Sequence, residues 1–238
     1  LESVYYNALH KFTLQYTVLL APLCAENDER IALGKIQVVA AYLDILIHRR
    51  IWNNRAIDYS TMQYAMFRLI REIRGKDIPE LVRILREHLD AETEKFASNP
   101  NFRLHGRNRR QIQILLARVT DYVETHSGHS SRFVEYVQSG SKGYEIEHIW
   151  ADHPERYADE FSDPSEFQEY RNRIGGLLLL PKSFNASYQD LPYEKKREHY
   201  LSQNLLARSL HEKTYERNPG FMRFLKESGL AFRSHAEF

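Results

Sequence analysis

An acid and a histidine stand side by side at Glu147-His148, near the end of a stretch, Tyr144-Glu145-Ile146-Glu147-His148-Ile149-Trp150, that reads as a short strand. Alone, such a pair is more often structural than catalytic. His148 and His153 are five apart, a spacing two metal ligands can use. No cysteine or third histidine lies beyond them at zinc-like spacing, so a zinc site is not expected. The order of the downstream residues adds weight. After an acidic insert come Asn172, a Gly175-Gly176 turn, the apolar run Leu177 to Leu180, and Pro181-Lys182-Ser183-Phe184-Asn185, which opens a short helix. Strand, strand, helix, with an acid-His pair on the first and an asparagine on the last, is a compact hydrolytic layout. It can converge His148, Glu147 and Asn185 on one point.

The elements that must position these groups fall into two textures. The first 130 residues read as helices. Val39, Ala40, Leu43, Leu46 and Ile47 repeat at three and four, and a second helical segment runs through Met62, Tyr64, Met66, Leu69 and Ile70. Asp77-Ile78-Pro79-Glu80 carries an N-cap, a first-turn proline and an acid three residues on, and Leu81, Ile84, Leu85 and Leu89 form the inner face behind it. Another helix is expected over Arg109 to Thr125, after the break at Ser98-Asn99-Pro100-Asn101. The Ser/Gly-rich stretch 127–143 reads as a loop or boundary. Helices resume near Tyr193 and Phe221. The expectation is a mainly α chain: a helical bundle or linker region over 1–135, then a small mixed α+β domain over 140–238.

The 238 residues suffice for one large domain or two small ones. Hydrophobic residues make up 42 % and charged residues 27 %, which is ordinary globular usage, and ten Gly with eight Pro exclude a low-complexity chain. Uninterrupted apolar runs are short, so no membrane span and no membrane partner are expected. One cysteine, Cys24, excludes an internal disulfide and fits a reducing, cytoplasmic setting. The start at Leu1 suggests a piece of a longer protein. Net charge is +1, but it is uneven: Arg103, Arg107, Arg109 and Arg110 crowd one stretch, whereas residues 155–169 are acidic. A basic cluster is more often a solvated face than a phosphate site, and an acidic run repels nucleic acid. No phosphate-binding glycine loop ending in Lys-Ser/Thr and no nucleophile-elbow motif is present.

Residues 144 to 200 resemble the HNH-type (ββα-metal) nuclease domain at the C-terminus of GmrSD-type modification-dependent restriction enzymes and of the SspE-like phosphorothioate-sensing defence family. Four separated pieces carry the resemblance in order. They are Glu147-His148-Ile149-Trp150; Asn172-Arg173-Ile174-Gly175-Gly176-Leu177-Leu178-Leu179-Leu180; Asn185; and Tyr193-Glu194-Lys195-Lys196-Arg197-Glu198-His199-Tyr200. Two positions depart from the pattern. Ala151 stands where a proline is usual, and Gly176 where an asparagine is usual.

The resemblance implies an endodeoxyribonuclease acting in restriction or antiphage defence. His148 would be the general base, since a neutral imidazole near pH 7 suits water activation. One Mg²⁺ or Mn²⁺ ion would be held by Asn185 and Glu147, because Mg²⁺ prefers oxygen ligands and keeps several waters. Asn172 would support the site, and Lys196 would contact a phosphate. Arg103, Arg107, Arg109, Arg110, Arg171, Arg173, Lys182, Lys195 and Arg197 would supply DNA-backbone contacts. Target choice would lie in an N-terminal nucleotide-using domain outside this chain. Read without the resemblance, Asn172 and Asn185 are turn or cap residues, Lys195-Lys196-Arg197 is a solvated helix face, and Trp150 is a core aromatic. The alternatives are a degenerate nuclease fold that only binds DNA or a partner, for which Ala151 and Gly176 speak, and a helical interaction module.

Overall fold

A computed structural model describes residues 1–138, 140, 143–188 and 190–238. The chain divides into two compact units, Leu1–Phe102 and Arg103–Phe238. The division falls earlier than the Ser/Gly-rich stretch 127–143, of which residues 139, 141 and 142 lie outside those described. The reason is the helix Arg109–His126: its apolar stripe is buried inside the second unit, so it belongs with the sheet.

The first unit holds α1 (Glu2–Leu9), α2 (Gln15–Leu20), α3 (Glu29–Trp52), α4 (Tyr59–Ile73) and α5 (Ile78–Ala91). The three longest helices start alike. Asp28, Asp58 and Asp77 each accept a hydrogen bond on the side chain from the backbone N–H three residues on, at Ile31, Thr61 and Glu80, satisfying an otherwise orphaned donor. Glu80 does not close the box back onto Asp77; its carboxylate meets Lys76 at 2.9 Å. On α4, Met62, Met66, Leu69 and Ile73 are buried at helical spacing. Helices α1, α2 and α5 all pack on α3.

By length and composition α3 is long and apolar enough to cross a membrane, with a mean hydropathy of 1.5 over its best window. Counting uninterrupted apolar runs missed this because single polar residues punctuate the helix. Half of that window is buried against the unit's own helices.

The second unit holds α6 (Arg109–His126), α7 (Phe133–Val137), β1 (Tyr144–His148), α8 (Pro164–Arg171), β2 (Leu177–Pro181), α9 (Lys182–Tyr188), α10 (Tyr193–Tyr200), α11 (Leu205–Arg208), α12 (Lys213–Glu216) and α13 (Pro219–Ser228). The mainly α chain with a small α+β part is therefore as expected, with a two-stranded sheet among the described residues. Strands β1 and β2 run antiparallel, with Tyr144 opposite Pro181 and His148 opposite Leu177. Hydrogen bonds from Lys182 N to Gly143 O and from Ile149 N to Gly176 O extend the ladder at both ends.

Successive strand residues point to opposite faces. Leu178 and Leu180 therefore share one face, where they pack with Ile149, Trp150, Phe167, Tyr193, Tyr200 and Ala207. Helix α6 packs against β2, α7, α11 and α13. Its Glu124 ties three elements together, accepting from Tyr136 Oη at 2.5 Å and from Leu205 N at 3.2 Å. Phe167 is fully buried and stacks with Trp150 and Tyr157. Its truncation, Phe167→Ala, is expected to lower the stability of this unit by about 3–5 kcal/mol in urea unfolding followed by near-UV circular dichroism.

Candidate active site

Helix α9 begins at the residue after β2, so β1, β2 and α9 form a continuous strand–strand–helix module around the candidate residues. The ladder bonds at Gly143 and Ile149 make the odd-numbered β1 residues the hydrogen-bonded partners of β2 and turn the Ile146 carbonyl to the outer edge. Asn185 reaches that edge, its Nδ2 donating to Ile146 O at 3.3 Å. Its Oδ1 has no hydrogen-bond donor among the described residues.

His148 closes β1. Its Nε2 lies 2.8 Å from Asn172 Oδ1. Asn172 caps the end of α8 and is itself fixed: Nδ2 donates to Gln168 O at 2.7 Å, and its carbonyl accepts from Leu104 N at 2.8 Å. Because the carboxamide N–H₂ is used on Gln168, its oxygen must accept from the ring. Nε2 therefore carries the proton, and Nδ1 is left with its lone pair. Burial pushes the His148 imidazole down to about 4, and Arg171, Lys196 and Arg109 push it the same way. The ring is thus neutral at pH 7 amid cations, which suits a base beside an anionic substrate.

Glu147 and Lys196 sit differently from the metal ligand and phosphate contact expected of them. Alternation sends Glu147 to the Leu178 face, away from that of His148. There Lys196 Nζ donates to Glu147 Oε1 at 2.7 Å and to the His148 carbonyl at 2.8 Å, and Tyr200 Oη donates to the same Glu147 oxygen at 3.2 Å. The two side chains are 3 % and 1 % exposed, so the ammonium is not presented to solvent. Burial pushes the Glu147 carboxyl up and the Lys196 ammonium down.

Of the arginines and lysines expected on DNA, several already have protein partners. Arg103 pairs with Glu169 at 2.8 Å, Lys182 with Glu145 at 3.4 Å, and Arg197 with Glu212. Arg110 donates to Val137 O at 2.8 Å, and Arg173 lies over the Tyr170 ring at 4.5 Å. Arg107, Arg109 and Lys195 are exposed and make no side-chain hydrogen bond or ion pair among the described residues. Arg171 is half-buried; its Nε donates to Trp150 O at 3.0 Å, and its terminal nitrogens have no partner among those residues. Trp150 is a core aromatic, stacked on Tyr157 and Phe167.

Two groups escaped sequence reasoning: the Gln168 carbonyl, which orients Asn172, and the Trp150 carbonyl, which aims Arg171. Backbone carbonyls carry no residue-type signal. The departures from the family pattern fit their surroundings. Ala151 is buried, and a Cβ on Gly176 would come within 3.1 Å of the Arg171 carbonyl, so a side chain there would press that carbonyl back by a few tenths of an ångström.

The strand–strand–helix module thus carries a tautomer-fixed histidine at the end of β1 and an asparagine on α9. The chain belongs to the family described as the C-terminal domain of GmrSD restriction endonucleases, which matches residues 90–218. That membership makes it a restriction-endonuclease-type domain with a nucleic-acid substrate. No curated protein and no solved structure matches the chain.

Lys196→Met strands a buried carboxylate and is expected to cost about 3–5 kcal/mol, whereas the double variant Glu147→Gln/Lys196→Met costs less than the two single changes added together, as measured by urea unfolding. His148 titrates near 4 in the folded chain and near 6.5 in the unfolded one, so between these values the unfolded chain binds more protons. The stability this neutral ring contributes is complete above about pH 6.5 and is lost as pH falls toward 4. The His148 ring resonances are expected to stay in their neutral positions from pH 8 down to 5 in an NMR titration.

Proposed function

We propose that the unit Arg103–Phe238 is an HNH-type (ββα-metal) endonuclease that nicks or cuts DNA with little sequence preference of its own. The observation that carries this reading is the His148–Asn172 hydrogen bond at 2.8 Å, which leaves Nδ1 unprotonated at the end of β1. A water placed at Nδ1 loses its proton to His148 as it attacks phosphorus. The terminal nitrogens of Arg171, together with exposed Arg109 and Arg107, meet the phosphate oxygens. A bound phosphodiester offsets the cations around His148 and raises the affinity of Nδ1 for a proton, strengthening the base where it is needed.

One hard cation would find a single protein oxygen here and would depend on the DNA phosphate for its charged ligands. The open Asn185 Oδ1 offers a neutral oxygen, and a DNA phosphate supplies anionic ones to an ion that keeps most of its waters. Asn185 would hold this Mg²⁺ or Mn²⁺ ion, which when bound supplies charge stabilisation at the phosphate and the departing 3′ oxygen. Lys196 is reassigned from phosphate contact to positioning residue, because it fastens the His148 carbonyl. Glu147 is its buried counter-charge.

In this reading the chain is the effector part of a cytoplasmic restriction or defence protein, and target choice belongs to a nucleotide-using domain outside it. A supercoiled-plasmid assay with the full 238-residue chain tests the proposal. Nicking is expected with Mg²⁺ or Mn²⁺, abolished by EDTA, and lowered at least about 100-fold by His148→Ala. Plasmid retardation on a gel without cleavage, under every divalent ion tried, would leave a DNA-binding module instead.

A further inference from the structure

In the unit Leu1–Phe102 a polar seam runs between α1 and α3. Ser3, Asn7 and His10 recur along one face of α1 and its cap, and Ala40, Asp44 and His48 recur at four-residue steps along α3. They meet in order. Ser3 Oγ donates to Asp44 Oδ2 at 3.3 Å, Asn7 Nδ2 donates to Ala40 O at 3.4 Å, and His10 Nε2 faces His48 Nε2 at 3.3 Å. Asn7, Asp44 and His48 are buried. A polar seam in a helix bundle is costly where apolar residues would pack.

The orientation of His48 is fixed. Its Nδ1 lies 2.8 Å from the Asp44 carbonyl and 3.0 Å from Asp44 Oδ1. Both are acceptors, so Nδ1 carries the proton and Nε2 turns its lone pair toward His10. The two rings meet edge-on at 80°. Imidazole nitrogens bound at about 2.0–2.1 Å to one tetrahedral ion stand about 3.3–3.4 Å apart. The His10 and His48 nitrogens share a hydrogen bond at that separation, 3.3 Å, and the ion takes the place of its proton, which leaves to solvent. Asp44 on the far nitrogen is the carboxylate that orients and strengthens a metal-bound histidine.

We propose that His10 and His48 form a transition-metal site that clamps α1 to α3, with Asp44 as the orienting carboxylate. No set of three His, Cys, Asp or Glu residues suited to a metal exists among the described residues, so the ion keeps open positions filled by water. Imidazole donors select Zn²⁺, Co²⁺, Ni²⁺ or Cu²⁺ over Mg²⁺. The site lies on helices that carry none of the proposed nuclease residues and does not depend on the nuclease reading.

The metal-free 238-residue chain is titrated with Zn²⁺ while thermal unfolding is followed, and with Co²⁺ while visible absorption is followed. Zn²⁺ is expected to raise the unfolding temperature by several degrees in the wild type and equally in His148→Ala and Asn185→Ala. Histidine-ligated Co²⁺ bands accompany it. His10→Asn removes both signals, and Asp44→Asn weakens Zn²⁺ binding about 10–100-fold. Absence of Co²⁺ bands in the wild type overturns the proposal, and so does unchanged Zn²⁺ affinity in His10→Asn. If His10→Asn does not fold, the Asp44→Asn affinity and the wild-type Co²⁺ spectrum decide.

Discussion

One proton on one ring nitrogen organises the second unit. His148 Nε2–H is donated to Asn172, whose own amide is spent on the Gln168 carbonyl, whose peptide belongs to α8. The end of a helix, an asparagine and the end of a strand are thus locked in series, and the only freedom left to the imidazole is the lone pair on Nδ1. A histidine held this way cannot present the wrong tautomer without breaking a bond in a half-buried place, where an unsatisfied group costs about 1–3 kcal/mol. Depression of its pKa by burial and nearby cations then keeps that lone pair available at neutral pH.

The strand pleat separates two kinds of work. On the face shared by Leu178 and Leu180, Glu147, Lys196 and Tyr200 are packed away among aromatics, and the ammonium holds the peptide of the catalytic candidate from behind. His148 itself points the other way. A buried ion pair contributes little net stability over an apolar substitute, but once present it penalises loss of either partner. Its value here is geometric: β1 cannot slip by one residue without exposing Leu178's neighbours and burying the imidazole among them.

The first unit shows the same economy with polar groups. Aspartates start its three longest helices, and a run of serine, asparagine and histidine on α1 finds complementary acceptors on α3. The apolar character of α3 comes from its place as the helix that α1, α2 and α5 all cover.

Much of this was legible along the chain. The cap at Asp77, the stripe on α4, the strand-like Tyr144–His148 and the all-apolar Leu177–Leu180 arise from local propensity and periodicity, which act over a few residues and need no knowledge of the fold. Pairing the acid with the histidine by adjacency misled, because neighbours in sequence are opposites in a strand. Whether Lys196 meets a phosphate or a carboxylate, whether Arg109 is free or Arg103 is paired, and whether α6 sides with the helices before it or the sheet after it depend on contacts between residues tens of positions apart. Residue types restrict what chemistry is available; only folding decides which lone pair is left open, because that is set by which neighbours have already used the others.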